Sequence, residues 1–338
     1  MRLSLVTDAW HPQVNGVVTT FSTVVEGLRA QGHVVDVIEP GAYRTVACPG
    51  YPEIRLALAG RAVGRRLRAF APERVHIATE GPLGWAARRY VRRRGWRYTT
   101  SLHTRFPEYV RARVPQFPLR WGYAALARFH GDAAVTLVAS EGMRGELAAR
   151  GFDHLNVWRR GVDTRLFTPG AAFDPGLPRP LYLYVGRVAR EKNIEAFLEL
   201  PLAGAKAVVG DGPDRARLER AWPQVVFAGY RRGHDLAAWY ASADALVFPS
   251  RTDTYGVVML EALACGTPVA AYPVTGPADI VRPGVTGQLD EDLARAGEGC
   301  LSLSRAACAA FAREHDWAAV VGEFLARTVP VTPAAACD

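Results

Sequence analysis

The sequence predicts an α/β protein of two Rossmann-like domains whose parallel sheets face each other across a cleft. Three observations carry this expectation. Short β-branched runs alternate with helical stretches through positions 1–167, a proline- and glycine-rich stretch interrupts at 168–180, and the same alternation restarts at 181.

In the first domain (1–167) the strand candidates are Leu3 to Thr7, Val34 to Glu39, Val75 to Thr79, Tyr98 to Leu102, Ala134 to Ala139 and Asn156 to Trp158. Thr168 to Pro180 holds four prolines and two glycines in thirteen residues, which suits neither a helix nor a central strand, and reads as a hinge. In the second domain (181–310) strands are expected at Leu181 to Val185, Lys206 to Val209, Val225 to Ala228, Ala245 to Phe248 and Pro268 to Ala271. Helices are expected between them, for example Ile194 to Leu200 and Asp235 to Ser242. A last helix within 311–330, containing Trp317, is expected to pack back on the first domain. Ligands of such sheets bind beyond the carboxyl ends of the strands, so the loops there are where chemistry should lie.

Composition narrows the function classes. Apolar residues make up 49% and charged residues 22% of the 338, the balance of a globular protein. No run of about 18 apolar residues suggests a transmembrane helix, and the N-terminal run reads as a strand rather than a signal peptide. A cytoplasmic protein, working at most at the inner face of the membrane, is the expectation. Cys48, Cys265, Cys300, Cys308 and Cys337 are scattered, with neither disulfide nor zinc-ligand spacing. The net charge of +8 rests almost wholly on arginine, and Lys192 and Lys206 are the only lysines. A lysine that persists in so arginine-rich a chain invites a functional reading.

Three segments follow predicted strands. After the first strand, Asp8 to Thr20 leads into a helix, and Asn15-Gly16-Val17 permits a tight turn with backbone N–H groups at the helix start. A helix start is an anion site, although an ordinary strand-to-helix turn uses the same residues. After the first strand of the second domain comes Gly186-Arg-Val-Ala-Arg-Glu-Lys-Asn193. Arg187 and Lys192, a fork and a compact charge, can hold a diphosphate and stabilise charge gathering on it; two solvated surface cations are the alternative. The third segment, Phe248 to Val269, reads strand, loop, helix, glycine turn, strand. Asp253 stands in its loop, Gly256 near the helix start, and Glu261 in a helix expected to begin near Tyr255. Carboxylates accept hydrogen bonds from sugar and ribose hydroxyls, while an N-capping aspartate and a surface glutamate would look the same alone.

Together these segments resemble the retaining family-4 glycosyltransferases. Asp253 to Glu261 resembles their E-x7-E motif with aspartate in the first place, Gly186-Arg187…Lys192 their donor-diphosphate motif, and Val209-Gly-Asp-Gly-Pro213 the strand-end loop that follows it. The resemblance spans almost the whole chain and implies the two-domain GT-B fold. It implies that Arg187 and Lys192 grip the donor diphosphate, that Gly16 sits against it from the other domain, that Glu261 binds the ribose and that Asp253 contacts the transferred sugar. The aspartate is one methylene shorter than the family's usual glutamate, which leaves the identity of the sugar open. In Thr100 to Val110, His103 resembles the family's cleft histidine, which hydrogen-bonds the donor sugar; a bland capping histidine would occupy the same place. The residues expected to act on the reacting groups are thus His103, Arg187, Lys192 and Asp253. The implied donor-binding set is Asn15, Gly16, Val17, Gly186, Arg187, Lys192, Asp211, Gly212, Tyr230, Asp253, Tyr255, Gly256, Val257 and Glu261. Arg160-Gly-Val-Asp163 is a further family feature, read as part of the cleft wall.

The version of the histidine motif resembles that of bacterial enzymes that glycosylate lipids, both diacylglycerol glycosyltransferases and GDP-mannose-dependent α-mannosyltransferases. The expected reaction is retaining transfer of a hexose (glucose, glucuronate or mannose type) from a nucleotide-sugar donor to a lipid hydroxyl, that of diacylglycerol or a related glycolipid acceptor; the alternative is a GDP-mannose-dependent α-mannosyltransferase acting on another glycolipid or glycan. UDP-glucose is the first donor expected and GDP-mannose the second. No Asp-x-Asp follows any of the strands expected above and the Arg/Lys pair supplies positive charge, so neither a metal nor another cofactor is expected. Arg61 to Arg68 and Trp85 to Trp96 are arginine-rich, and the second is flanked by aromatics. They read as an anionic-membrane surface or as solvated helix faces; no nucleic-acid motif accompanies them. Two rivals from other classes are a nucleotide-sugar epimerase, which would convert donor alone, and a silent sugar-nucleotide-binding protein.

Overall fold

The computed structural model describes residues 1–13, 15–48, 51–103, 105–253 and 255–332. Cys337 lies outside the described residues, as do Thr104 and Thr254 within the motifs quoted above. The chain forms two compact units. The first takes Met1–Pro107, Gln116–Arg159 and the segment from Ala318; the second takes Glu108–Pro115 and Arg160–Trp317.

The first unit is built on a parallel six-stranded sheet. In chain order its strands are β1 (Arg2–Val6), β2 (Val34–Ile38), β5 (Arg74–Ile77), β6 (Thr99–Leu102), β7 (Val135–Val138) and β8 (Leu155–Val157), and β3 (Thr45–Cys48) pairs antiparallel with β4 (Tyr51–Ala57) beside it. The sheet order is β2-β1-β5-β6-β7-β8. From β1 the chain goes first to one side and later to the other, so the loops after β1 and β5 lie side by side at a switch point. Asp8 occupies that point. Its carboxylate accepts from the backbone N–H of Leu83 (2.8 Å) and Gly84 (3.2 Å) and from the Thr79 hydroxyl (3.0 Å). It thereby caps the helix Pro82–Arg93. Burial pushes the Asp8 carboxyl up to about 6, against these hydrogen bonds, which hold it down. Asp8→Ala leaves both N–H groups unpaired in a buried place and should cost about 1–3 kcal/mol. Denaturant unfolding checks this, and an unchanged stability would contradict the capping role.

The second unit repeats the plan with β9 (Leu181–Val185), β10 (Ala205–Val209), β11 (Val226–Gly229), β12 (Ala245–Phe248), β13 (Val269–Ala271) and β14 (Gly287–Leu289), ordered β11-β10-β9-β12-β13-β14. Every residue of β9 and β12 is buried, which explains why both read as unbroken apolar runs rather than alternating ones. β9 lies between β10 and β12. The switch point therefore sets the loop after β9 beside the loop after β12, the two segments that the sequence singled out.

The chain changes unit between Arg159 and Arg160, ahead of the Pro/Gly stretch 168–180, which is held inside the second unit. There the Phe173 N–H donates to Ser242 Oγ (2.8 Å), whose hydroxyl donates to the Phe173 carbonyl (2.7 Å), and the Phe173 ring packs edge-on against Trp239. At the other end two helices, Arg305–Arg313 and Trp317–Arg327, replace the single helix expected over 311–330. The chain returns to the first unit from Ala318. The second of these helices packs there: the Trp158 indole donates to the Val320 carbonyl (3.0 Å), and Arg74 donates to the carbonyls of Leu325 (2.7 Å) and Thr328.

Candidate active site

In the second unit the segment after β9 makes a tight turn, a short 3-10 stretch (Arg190–Lys192) and the helix Ile194–Leu198. Its shape depends on glycines in neighbouring loops. A Cβ on Gly210 would fall 1.9 Å from the Gly186 carbonyl oxygen, and one on Gly212 would fall 2.3 Å from that of Val188. No side chain fits at either place, which accounts for Gly-Asp-Gly in this loop. Between them Asp211 is exposed and faces Arg215 at 3.5 Å. The loop after β9 is tied to the loop after β12 by two further bonds. The Asn193 amide donates to the Pro249 carbonyl (3.1 Å), and the Thr252 hydroxyl donates to that of Glu191 (3.2 Å).

Across this junction Lys192 Nζ donates to Asp253 Oδ1 in a short ion pair, with both side chains mostly buried. Sequence reading assigned these residues to different parts of one ligand; the structure brings them into direct contact. Arg187 stands half-buried on the same loop, its backbone carbonyl accepting from the Tyr184 hydroxyl (2.7 Å). Tyr255 is buried, and Gly256 follows with φ of 85°, a left-handed conformation that leads directly into the helix Val257–Ala264. The helix starts two residues later than the sequence suggested, because Gly256 turns the chain before it.

Within that helix Glu261 is not a surface residue. Its Oε2 accepts from the hydroxyl of the fully buried Tyr240 (2.8 Å). Burial pushes the Glu261 carboxyl up to about 7, and the Tyr240 hydrogen bond opposes this. The same burial, with the Glu261 carboxylate beside it, raises Tyr240 well above the usual tyrosine range. Tyr240 escaped sequence reading because its helix, Gly233–Ser242, carries no motif; a tyrosine at a core position of a helix was its only signal. Tyr230, just past β11, is exposed. Arg160 is buried in this unit and within electrostatic reach of Tyr255.

The remaining predicted residues belong to the first unit. Asn15 caps the helix Gly16–Ala30, its side-chain oxygen accepting from Val17 N and Val18 N, each at 3.0 Å. The cap thus takes up the Val17 N–H that sequence reading offered to a ligand. At Gly16 a Cβ would meet nothing within 4 Å among the described residues, so the backbone there is approachable. His103, just past β6, is half-buried; its ring meets Phe21 edge-on at 5.1 Å, and its Nε2 lies 2.7 Å from Ser101 Oγ.

Two family models cover this chain. One described as Glycosyl transferases group 1 matches residues 179–305, and one described as Glycosyltransferase Family 4 matches residues 14–166. A GDP-mannose-dependent alpha-mannosyltransferase of Mycobacterium tuberculosis (strain CDC 1551 / Oshkosh) is 34% identical over 86% of this chain and 83% of its own length. The chain is a family-4 glycosyltransferase. An alpha-monoglucosyldiacylglycerol synthase of Acholeplasma laidlawii is 24% identical over 80% of this chain and 79% of its own. Among solved structures, the sucrose-phosphate synthase of Thermosynechococcus elongatus superposes with a TM-score of 0.80 at 21% identity, covering 96% of this chain and 97% of the other. That likeness shows the GT-B fold.

The two lysines of the glycosyltransferase do different work. Lys206 donates to the carbonyls of Leu198 and Leu200, each at 2.6 Å, and so closes the end of the helix Ile194–Leu198. Lys192 alone faces the site. The arginine-rich stretches also divide. Arg66 forks onto Asp36, and Arg88 is buried against Asp132 and the Phe129 carbonyl. Arg61, Arg65, Arg68, Arg89, Arg92 and Arg93 are exposed. The aromatics that flank them are half-buried, Trp85 packing edge-on against Phe129 and Trp96 edge-on against Tyr90. Among the described residues no group of three or more His, Cys, Asp or Glu could hold a metal ion, and no helix is long and apolar enough to cross a membrane. Burial pushes the Cys265 and Cys300 thiols up to about 12, which makes them inert packing groups.

Proposed function

We propose that the enzyme transfers a hexose, with retention of configuration, from a nucleoside diphosphate sugar to a hydroxyl of a membrane lipid. The observation that carries this reading is the Lys192–Asp253 pair at the switch point of the second unit, with Arg187 on the same loop. As the bond between the anomeric carbon and the diphosphate breaks, its electron pair goes to the phosphate oxygen. Arg187 and Lys192 stabilise the charge that collects there. The acceptor oxygen forms the new bond on the same face, and its proton passes to the departing diphosphate. Asp253 holds the lysine and offers its second oxygen to hydroxyls of the sugar. The helix start at Gly256 and Val257 offers N–H groups to a phosphate, and Glu261 takes the ribose. By the family resemblance, His103 hydrogen-bonds the donor sugar. With two side-chain cations assigned to the diphosphate, the reaction should need no divalent ion, so activity should withstand EDTA.

GDP-mannose is placed ahead of UDP-glucose, reversing the order the sequence suggested, because the 34%-identical relative carries GDP-mannose in its name. The lipid acceptor is supported by the relative named a monoglucosyldiacylglycerol synthase. The exposed arginines of the first unit suit an anionic bilayer surface, each contributing about 1 kcal/mol. The test is incubation of labelled GDP- and UDP-sugars with diacylglycerol-containing liposomes, followed by lipid extraction. Label in the lipid fraction from GDP-mannose is expected. Conversion of donor without acceptor would identify an epimerase instead, and binding without transfer to any acceptor a silent binder.

A further inference from the structure

The first unit carries a cavity for which the transfer step has no use. It measures about 390 Å³ and is lined by Trp85, Arg88, Arg89, Arg92, Arg93 and Arg128. Residues 85, 88, 89 and 92 fall on one stripe of the helix Pro82–Arg93, and Arg93 stands one turn beyond Arg89. Arg128 joins them from the helix Leu119–His130. The two helices run back to the starts of β6 and β7. Their last turns, which hold Arg92, Arg93 and Arg128, therefore lie at the amino edge of the sheet, opposite the loops where the chemistry is placed.

Two of the five arginines are tied down. Arg88 is buried, with its guanidinium 5.2 Å from the centre of the Trp85 ring; it donates to the Phe129 carbonyl (2.9 Å) and pairs with Asp132. Arg92 Nε lies 3.1 Å from the same Asp132 oxygen. Arg89, Arg93 and Arg128 are exposed and, among the described residues, form no ion pair. Five guanidinium groups thus share one carboxylate around one concavity. The helix dipoles explain a cation in each last turn, but lysine would serve them as well, and they do not explain the grouping. Like charges so placed repel one another until an anion neutralises them.

The donors select the anion. Each guanidinium offers a planar fork that takes two oxygens of one phosphate. A phosphomonoester has three unshared oxygens and carries close to two charges at neutral pH, whereas a diester has two such oxygens and one charge. We infer that the cavity is a phosphomonoester site, gripped by Arg89, Arg93 and Arg128 with Arg92 held ready beside them by Asp132. The phosphate belongs either to a lipid headgroup or to a soluble ester. This goes beyond the attraction of exposed arginines to an anionic bilayer, which needs net charge alone, and it holds whichever sugar is transferred.

The test is sedimentation of the full chain with phosphatidylcholine vesicles that carry phosphatidic acid, a monoester, or phosphatidylglycerol, a diester, matched in surface potential. The parent should bind the monoester vesicles about tenfold more tightly. Arg89→Lys/Arg93→Lys/Arg128→Lys keeps every charge and loses the forks, so it should erase the preference and leave diester binding unchanged. The corresponding triple change to Gln should weaken monoester binding about 100-fold. All three side chains are exposed, and an unchanged melting temperature checks the fold. Calorimetry with glycerol 3-phosphate separates the sources. Binding that survives Lys192→Ala and disappears in the triple lysine variant assigns the site to a soluble ester; vesicle preference without such binding assigns it to a headgroup. Equal binding to both vesicles with no glycerol 3-phosphate binding overturns the site, as does a monoester preference that persists in the triple lysine variant. The sugar-transfer reading fails on a different observation, the absence of labelled lipid.

Discussion

Lys192→Ala is expected to lower kcat by about 100- to 1000-fold, the cost of removing a preorganised donor from developing negative charge. Donor affinity should fall far less, since the ammonium matters most once the diphosphate carries the charge of the broken bond. Arginine should not rescue it. The pocket holds a compact ammonium against Asp253, mostly buried on both sides, and a planar guanidinium needs more width and aims its donors differently. The fold should survive, because Lys192 lies on a loop outside the sheet core; circular dichroism and melting temperature check that. A Lys192→Ala enzyme with near-parental kcat would remove the side chain from the chemistry. Asp253→Asn tests the same pair from the other side. It keeps the shape, removes the charge that faces the lysine, and should lower kcat more than it raises the donor KM.

Glu261 carries the second large effect. Its carboxyl stands at about 7 in the folded protein against an ordinary value of 4.5. A carboxyl raised in this way favours folding fully below the unfolded pKa, and that contribution is lost as the pH climbs through the folded pKa. The parent enzyme should therefore lose stability between pH 4.5 and 7. Glu261→Gln still accepts from Tyr240 and cannot ionise, so it should be spared a loss on the order of 2 kcal/mol. The measurement is the difference in melting temperature between the two proteins at pH 5 and pH 8. The glutamine variant should gain on the parent as pH rises, and a constant difference would show that the carboxyl titrates normally. Function should move the other way. An ionised carboxylate binds ribose hydroxyls more strongly than an amide does, so donor affinity should fall about 10- to 100-fold in Glu261→Gln at pH 8. Stability gained and binding lost in one substitution would mark a residue kept for its ligand at the expense of the fold.

The sequence disclosed the second sheet well except for β14, because β9 and β12 are apolar throughout, whereas β14 is a three-residue edge strand, Gly-Gln-Leu, with too little apolar character to stand out. It disclosed the β3–β4 hairpin poorly, since those strands lie outside the central sheet. Strand order left no trace in any single segment; it emerges only from how β10 and β12 pack on either side of β9. The proline-rich stretch 168–180 suggested a hinge by composition, yet backbone bonds to Ser242 hold it against the second unit. At the site, spacing singled out Lys192, Asp253 and Glu261 but not what each touches. Rarity marks a residue without giving its role: of two rare lysines, one faces Asp253 and the other closes a helix end. Tyr240 was invisible, because a buried polar side chain is recognised by its partner, here Glu261 on another helix.

The proposed catalysis depends most directly on where the leaving diphosphate binds. A crystal structure with the nucleoside diphosphate should place its terminal phosphate oxygens about 3 Å from Lys192 Nζ and from the Arg187 guanidinium. A diphosphate bound away from both side chains would contradict it.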